Sequence, residues 1–457
     1  MNETIKYIDD NAERFVDELK DFLRIPSISA DPAFSADVRR AAEYVADEAR
    51  RVGLENVEIY DTPGHPIVYA DWLHAPGLPT VLIYGHYDVQ PVDPLNLWSS
   101  PPFEPVVRGD EIYARGSVDD KGQVHMHFKS LEAIMRTTGG FPVNVKVIIE
   151  GEEEVGSPNL EPFIAGHKEL LACDAVMVSD TTMYDYEMPS LTYGLRGLAY
   201  FELHVTGAKG DLHSGMFGGA VANPINILCD LIAKMKDERG HITIPGFYDE
   251  VIDVSAEERA ELARLPYDVE SIKSMLDIPG TVGEEGYTDL ERLWARPTLD
   301  VCGIWGGYQG DGAKTVLPSK AGAKISMRLV PNQDFEKVNE LFSAFIEANK
   351  PEGARVEVVW LHGGKPAMTP VDSAPMRAAL TALERAFGTR PFLIRSGGSI
   401  PVVADFEEHL RAPVVLMGFG LPDQNAHAPD EKMNLKNYHR GIKSAALFLD
   451  EYARSGS

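Results

Sequence analysis

His86 and Asp88 stand two residues apart in LIYGHYDVQP, just past an apolar run that Gly85 interrupts. Three acidic clusters share that kind of setting. ARGSVDDKGQ sets Asp119 beside Asp120 ahead of a helical pattern. IIEGEEEVGS crowds Glu150, Glu152, Glu153 and Glu154 at the end of a strand pattern, and VMVSDTT closes another on Asp180. A second histidine, His427 in GLPDQNAHAPDEK, follows the apolar run 413–420. Packed like charges repel, so acids gathered in one place need a cation or a proton. Two imidazoles and several carboxylates form a donor set that suits zinc, manganese or cobalt. One carboxylate can bridge two ions. Ions about 3.5–4 Å apart can hold a shared water, polarise a carbonyl and stabilise both ends of a displacement. A spare carboxylate beside them acts as general base and later protonates the leaving amine.

Each stretch alone has an ordinary reading. H-x-D after a strand is a common loop, EEE a common solvated face, and DD before a helix an N-cap that favours the helix dipole. What joins them is position. In open α/β sheets, sites gather at the carboxyl ends of strands. If these strands share a sheet, His86, Glu153 or Glu154, Asp180 and His427 reach one edge.

The surrounding pattern supplies such a sheet. Apolar spacing predicts a helix over 4–24 and another over 37–51, with Gly53 as C-cap. Short β patterns at 56–60 and 66–72 precede TVLIYG, a continuous apolar run of the kind buried in a parallel sheet. Helix 122–137, strand 143–150, helix 160–171 and strand 175–180 then alternate, which predicts a parallel sheet covered by helices. After about residue 194 the character changes. Segments 198–207, 320–330 and 355–363 alternate like half-exposed antiparallel strands. A helix is expected near 223–238, and 246–296 is acidic, irregular or helical. Helix 373–387, strand 413–420 and helix 437–452 resume the first pattern. The expected fold is α/β, a doubly wound mixed sheet in two chain segments, 1–195 and 366–457, with an inserted α+β domain at 196–365.

At 457 residues, the chain suits two domains. A net charge of −27 repels phosphates, which disfavours nucleic acid and anionic membranes as partners. Cys173, Cys229 and Cys302 are scattered without a C-x-x-C, so cysteine-bound zinc is not expected, and a reducing compartment is. The polar, acidic start MNETIKYIDD and the lack of any apolar run near the roughly 20 residues of a membrane span make the cytoplasm the expected location. GGYQGDGAKT imitates a phosphate-binding loop, but Ala313 separates Gly312 from Lys314, so nucleotide binding is not expected.

Nine stretches, YGHYDVQP, RGSVDDKGQ, EGEEEVGS, TYGLRG, DLHSG, GAKTVLP, RLVPN, HGGKP and GGSIP, occur in this order over nearly the whole chain. Together they resemble the M20 metallopeptidases, specifically the cytosolic non-specific dipeptidase branch with its carnosinase-like members. The resemblance implies two divalent ions per subunit, zinc or manganese. It implies His86, Asp119, Glu154, Asp180 and His427 as ligands, with Asp119 bridging and the peptide to Asp120 cis. Asp88 would fix the ring of His86. Counted back from Gly156, Glu153 falls on the general base. The inserted block resembles a lid that also makes a homodimer, with His213 and Thr315 acting across it, His213 on the oxyanion. Arg328 resembles the group that pairs with the substrate carboxylate. His362, Gly398 and Ser399 resemble further substrate contacts. Tyr87, and Ala428 with Pro429, depart from the branch's usual neighbours and border the cleft. The implied activity is hydrolysis of dipeptides or similar small amides with a free carboxylate, through a metal-bridging water. An N-acyl- or N-carbamoyl-amino-acid amidohydrolase is the alternative on the same scaffold. A non-catalytic metal or peptide binder is a second alternative, but it leaves Glu153 without a task.

Overall fold

The computed structural model describes residues 1–398 and 400–455. The chain forms two compact units. The first comprises Met1–Tyr193, Thr369–Ile394 and Val402–Ser457, and the second Gly194–Met368 with Arg395–Pro401.

The first unit is built on one mixed sheet. Its strands lie in the order Glu55–Tyr60, Ile67–Trp72, Asn144–Glu150, Thr80–His86, Ala175–Val178, Val414–Leu416 and Ser190–Leu195. The strand Thr80–His86 pairs in parallel with Asn144–Glu150 and with Ala175–Val178, and Val414–Leu416 continues the parallel set. These strands are buried almost throughout. That is why they read as unbroken apolar runs, because helices cover both faces of such a sheet. The long helices Lys121–Thr138, Ala374–Phe387 and Leu435–Ser455 contribute Leu131, Leu383 and Phe448 to the core around Val81, Ile83, Val147 and Met177.

Local deviations from the sequence pattern have local causes. The stretch 4–24 is two helices, Asn2–Asp10 and Ala12–Leu23. Asn11 interrupts them. Its Nδ2 donates to Tyr7 O at 2.8 Å and its Oδ1 accepts from Arg14 Nε at 3.1 Å, offering the backbone an alternative to helix. The strand expected over 413–420 stops at Leu416. Beyond it Gly418 passes so close to Thr181 that an added Cβ would lie 2.0 Å from Thr181 O. Here the close approach requires a glycine.

The second unit has a four-stranded antiparallel sheet in the order Thr298–Gly306, Lys320–Leu329, Gly197–Thr206, Arg355–Gly364. Strict alternation of buried and half-buried residues along Gly197–Thr206 marks a sheet with one covered face. The helices Pro224–Ala233 and Phe335–Asn349 cover it, packing Leu228, Leu231, Phe342 and Ile346 on Phe201, Ile325 and Met327. The acidic stretch 246–296 forms three short helices, Ala256–Leu262, Val269–Leu276 and Asp289–Trp294. Some of its acids organise around a buried guanidinium. Arg296 binds Glu284 through Nε and Nη2, reaches Asp253 through Nη1, and lies 4.2 Å from the Tyr287 ring centre. Among the described residues no helix is long and apolar enough to cross a membrane.

Candidate metal centre

His86 is the last residue of its strand and is fully buried. Gly85 makes room there, since a Cβ would fall 2.5 Å from Val124 Cγ2 and 2.7 Å from Asp120 Oδ2. The ring's Nδ1 lies 3.1 Å from Asp88 O and 3.3 Å from Asp88 Oδ1. A proton on Nδ1 satisfies Asp88 and leaves the lone pair of Nε2 pointing outward, the tautomer a ligand needs. Nε2 faces Asp119 Oδ1 at 3.1 Å and Asp180 Oδ2 at 3.9 Å. Asp180 lies two residues past the strand Ala175–Val178.

Asp119 turns its other oxygen away from His86. Its Oδ2 is 2.9 Å from His427 Nε2, and that nitrogen is 3.2 Å from Glu154 Oε2. Two triads result, His86–Asp119–Asp180 and Asp119–Glu154–His427, each with its ligand atoms within 4.8 Å of one another. They share only Asp119, which offers one oxygen to each. The Asp119–Asp120 peptide is cis. Asp88 has a second task, since Oδ1 accepts from Glu153 N at 3.2 Å and Oδ2 from Glu154 N at 3.1 Å. One buried carboxylate therefore sets both the His86 ring and the turn that carries two glutamates.

The titration of these groups follows from their crowding. Burial pushes Glu153 up to about 9; the charge of His86 opposes this, while those of Asp180, Glu154 and Asp119 add to it. Burial, and then the charge of Asp119, push Asp180 up to about 7. Hydrogen bonds to Asp119 and Glu154 raise His427 to about 10. Burial alone would lower His86, but its bonds to Asp119 and Asp88 prevail and hold it well above the usual range. Burial would raise Asp119, yet its bonds from His427 and His86 keep it below the usual carboxylate range. Acids and imidazoles that share protons in this way fit a pair of divalent cations, which replace the protons and relieve the repulsion. The donor set, two nitrogens and three carboxylates, suits that role.

Four further residues complete the site. Gln90, four residues after His86, donates Nε2 to Glu154 Oε2 at 2.7 Å. Asp120 accepts the His86 backbone N–H at 3.2 Å. Glu431 and Arg115 form a buried pair behind Asp119. All four lie within quoted stretches, but their contacts depend on tertiary proximity that no spacing reveals.

The remaining expected residues belong to the second unit. His213 ends the two-residue strand Leu212–His213, pairs with Val316, and caps the following turn with Nδ1, which accepts Gly215 N at 3.1 Å. Thr315 lies beside it, its carbonyl accepting Ser214 N at 3.1 Å. Arg328 is half-buried, opposite Leu198 and Thr298. It lines a cavity of about 790 Å³ together with Arg196, whose own pKa falls to about 10 through burial and then the charge of Arg328. His362 stacks on Tyr200 with ring centres 5.3 Å apart. The carbonyl of Gly398 accepts Arg196 N at 3.2 Å. Ser399 lies outside the described residues.

Comparison with known proteins identifies the family. The family model described as Peptidase family M20/M25/M40 matches residues 82–451. The chain is 34% identical over 468 residues to a Cys-Gly metallodipeptidase of Schizosaccharomyces pombe, covering 99% of this chain and 98% of the relative. It is 31% identical to a Beta-Ala-His dipeptidase of Homo sapiens, covering 99% and 93%. Among solved structures, an M20 family metallo-carboxypeptidase from Sulfolobus solfataricus superposes with a TM-score of 0.82 at 34% identity, over 96% of this chain and 99% of that one.

Proposed function

The chain belongs to peptidase family M20/M25/M40, and from that premise we propose a two-metal dipeptidase whose centre is the pair of triads that meet at Asp119. It is a metallopeptidase that hydrolyses dipeptides. His86, Asp119 and Asp180 would hold one divalent ion, and Asp119, Glu154 and His427 the other, with zinc or manganese as the metals proposed. The observation that carries this reading is the bridging geometry, one Asp119 oxygen at 3.1 Å from His86 and the other at 2.9 Å from His427.

When bound, such a pair supplies Lewis acidity for the scissile carbonyl and makes a water acidic enough to lose its proton near neutral pH. Glu153 takes that proton as the water's oxygen attacks the carbonyl carbon, and passes it to the amine as the C–N bond breaks. Bound cations would offset the acidic neighbours that, with burial, hold the Glu153 carboxyl high, and so favour its basic form. Asp88 keeps the His86 lone pair outward and the Glu153 turn fixed. Arg328 pairs with the substrate's free carboxylate, with His362, Gly398 and Ser399 as further contacts. His213 and Thr315 act across a homodimer, His213 steadying the oxyanion. The enzyme works in the cytoplasm.

A substrate panel tests this. Unblocked dipeptides are compared with N-acetyl- and N-carbamoyl-amino acids after loading with manganese or zinc. Cleavage of the unblocked dipeptides is expected. Cleavage of the blocked amino acids alone would keep the metal chemistry and overturn the substrate class.

A further inference from the structure

Glu431 is fully buried, and its carboxylate is saturated by donors from one short segment. Oε2 accepts from Arg115 Nη1 at 2.8 Å and from Gly116 N at 2.9 Å. Oε1 accepts from Val118 N at 2.9 Å and Asp119 N at 3.2 Å. The Glu431 backbone carbonyl also accepts Ala114 N at 3.1 Å. Arg115, equally buried, extends the connection. Its Nη2 donates to Pro91 O at 3.0 Å, and its guanidinium lies 5.3 Å from the centre of the Trp98 ring.

Three segments carrying site residues therefore converge on one ion pair. The segment 86–91 bears His86, Asp88 and Gln90, the segment 115–120 bears Asp119, and the segment 427–431 bears His427. We propose that the Glu431–Arg115 pair is the positioning device of the metal centre, holding these three segments in register so that both oxygens of Asp119 face their triads. The inference rests on the two-metal reading above. A pair that served stability alone has no need to collect backbone N–H groups leading up to a ligand. Another buried charge cluster of the same unit shows the contrast. Lys129 binds Glu18 and Glu48, and Glu132 binds Arg14 and Tyr7, all through side chains and none through the backbone N–H of a ligand or its neighbour. Charges are costly to bury, so fixing ligand geometry is a use that accounts for the arrangement.

The test uses the full chain, stripped of metal and titrated with Mn²⁺ by calorimetry, alongside the melting temperature of the metal-free form. Glu431→Gln removes the charge and one acceptor while keeping the shape. It is expected to weaken Mn²⁺ binding about 10–100-fold, the usual effect of losing a group that orients ligands. Arg115→Lys, which gives up the planar guanidinium whose two nitrogens join Glu431 to Pro91 O, is expected to weaken it in the same direction but less. Glu132→Gln, in that other cluster, is expected to lower the melting temperature and leave Mn²⁺ affinity unchanged. Wild-type affinity in both Glu431→Gln and Arg115→Lys, with only the melting temperature lowered, would overturn the proposal. If Glu431→Gln does not fold, Arg115→Lys decides alone. A wild-type protein that binds fewer than two Mn²⁺ would overturn the two-metal reading and this inference with it, an outcome distinct from a variant that binds normally.

Discussion

Asp119→Asn tests the shared carboxylate most directly. Its two oxygens divide between the sites, Oδ1 toward His86 at 3.1 Å and Oδ2 toward His427 at 2.9 Å. An amide keeps one oxygen and puts an NH₂, which cannot ligate, in place of the other. One triad keeps three protein donors and the other falls to two. Four-ligand structural zinc sites bind with about 10–16 kcal/mol, or roughly 2.5–4 kcal/mol per donor. With about 1.4 kcal/mol for each tenfold change, the depleted site weakens about 10²–10³-fold. The other loses a negative charge but no donor, and weakens less. The assay is metal content after gel filtration of Mn²⁺-loaded protein, with circular dichroism to verify the fold. Two ions per chain are expected for the wild type and one for the variant, with dipeptide turnover lost. Two ions retained at wild-type affinity would falsify the claim that Asp119 joins the sites.

Glu153→Ala separates chemistry from binding. It should keep both ions and lose about 10²–10⁴-fold in kcat, the usual worth of a general base, and retained turnover would remove Glu153 from the mechanism. If His213 serves the partner's site, mixing inactive His213→Ala with inactive Glu153→Ala protein should restore part of the activity. No recovery after verified subunit exchange would count against a shared site. Acid should weaken the metal-free fold through His127, which is buried with its Nε2 2.8 Å from Ser179 Oγ. Burial lowers its pKa from 6.5 to about 4. Between those values the unfolded chain holds more protons, so this contribution is present above pH 6.5 and is lost as pH falls toward 4, about 3 kcal/mol in all. Urea unfolding of metal-free wild type and His127→Gln at pH 7 and pH 4.5 should show a smaller pH dependence in the variant. Equal dependence would exclude His127 as its source.

Most of what positions the centre was legible because a parallel sheet writes itself plainly in sequence. The strands Thr80–His86, Asn144–Glu150 and Ala175–Val178 are buried on both faces and appear as apolar runs, each followed by acids or a histidine. Asn11 was less legible. A polar residue inside an apolar period reads as the solvent side of one helix, and only its bonds to Tyr7 O and Arg14 show that it ends one helix and begins another. The strand at 413–420 was overread because apolar residues continue past Leu416 for a different reason. Met417 and Phe419 pack in the core after the chain has left the sheet.

The acids of the centre divide by what they accept from, and this distinction is invisible in sequence. Asp119, Glu154 and Asp180 turn toward imidazole nitrogens and toward each other. Asp88, Asp120 and Glu431 accept backbone N–H groups, at Glu153 and Glu154, at His86, and at Gly116, Val118 and Asp119 respectively, and Asp88 also holds the inner nitrogen of the His86 ring. Glu150 takes the hydroxyls of Tyr84 and Ser157. Glu431, which accepts four N–H groups, has no lone pair left to give a cation, whereas a carboxylate that faces other carboxylates has little else to do. The holding acids make the ligand acids possible. Each fixes the backbone from which a ligand projects, so that charges which would otherwise spread apart stay within reach of a common ion. The cost of burying the holding acids is offset by rigidity at the ligands, and removing one should therefore appear first in metal affinity and only second in the stability of the fold.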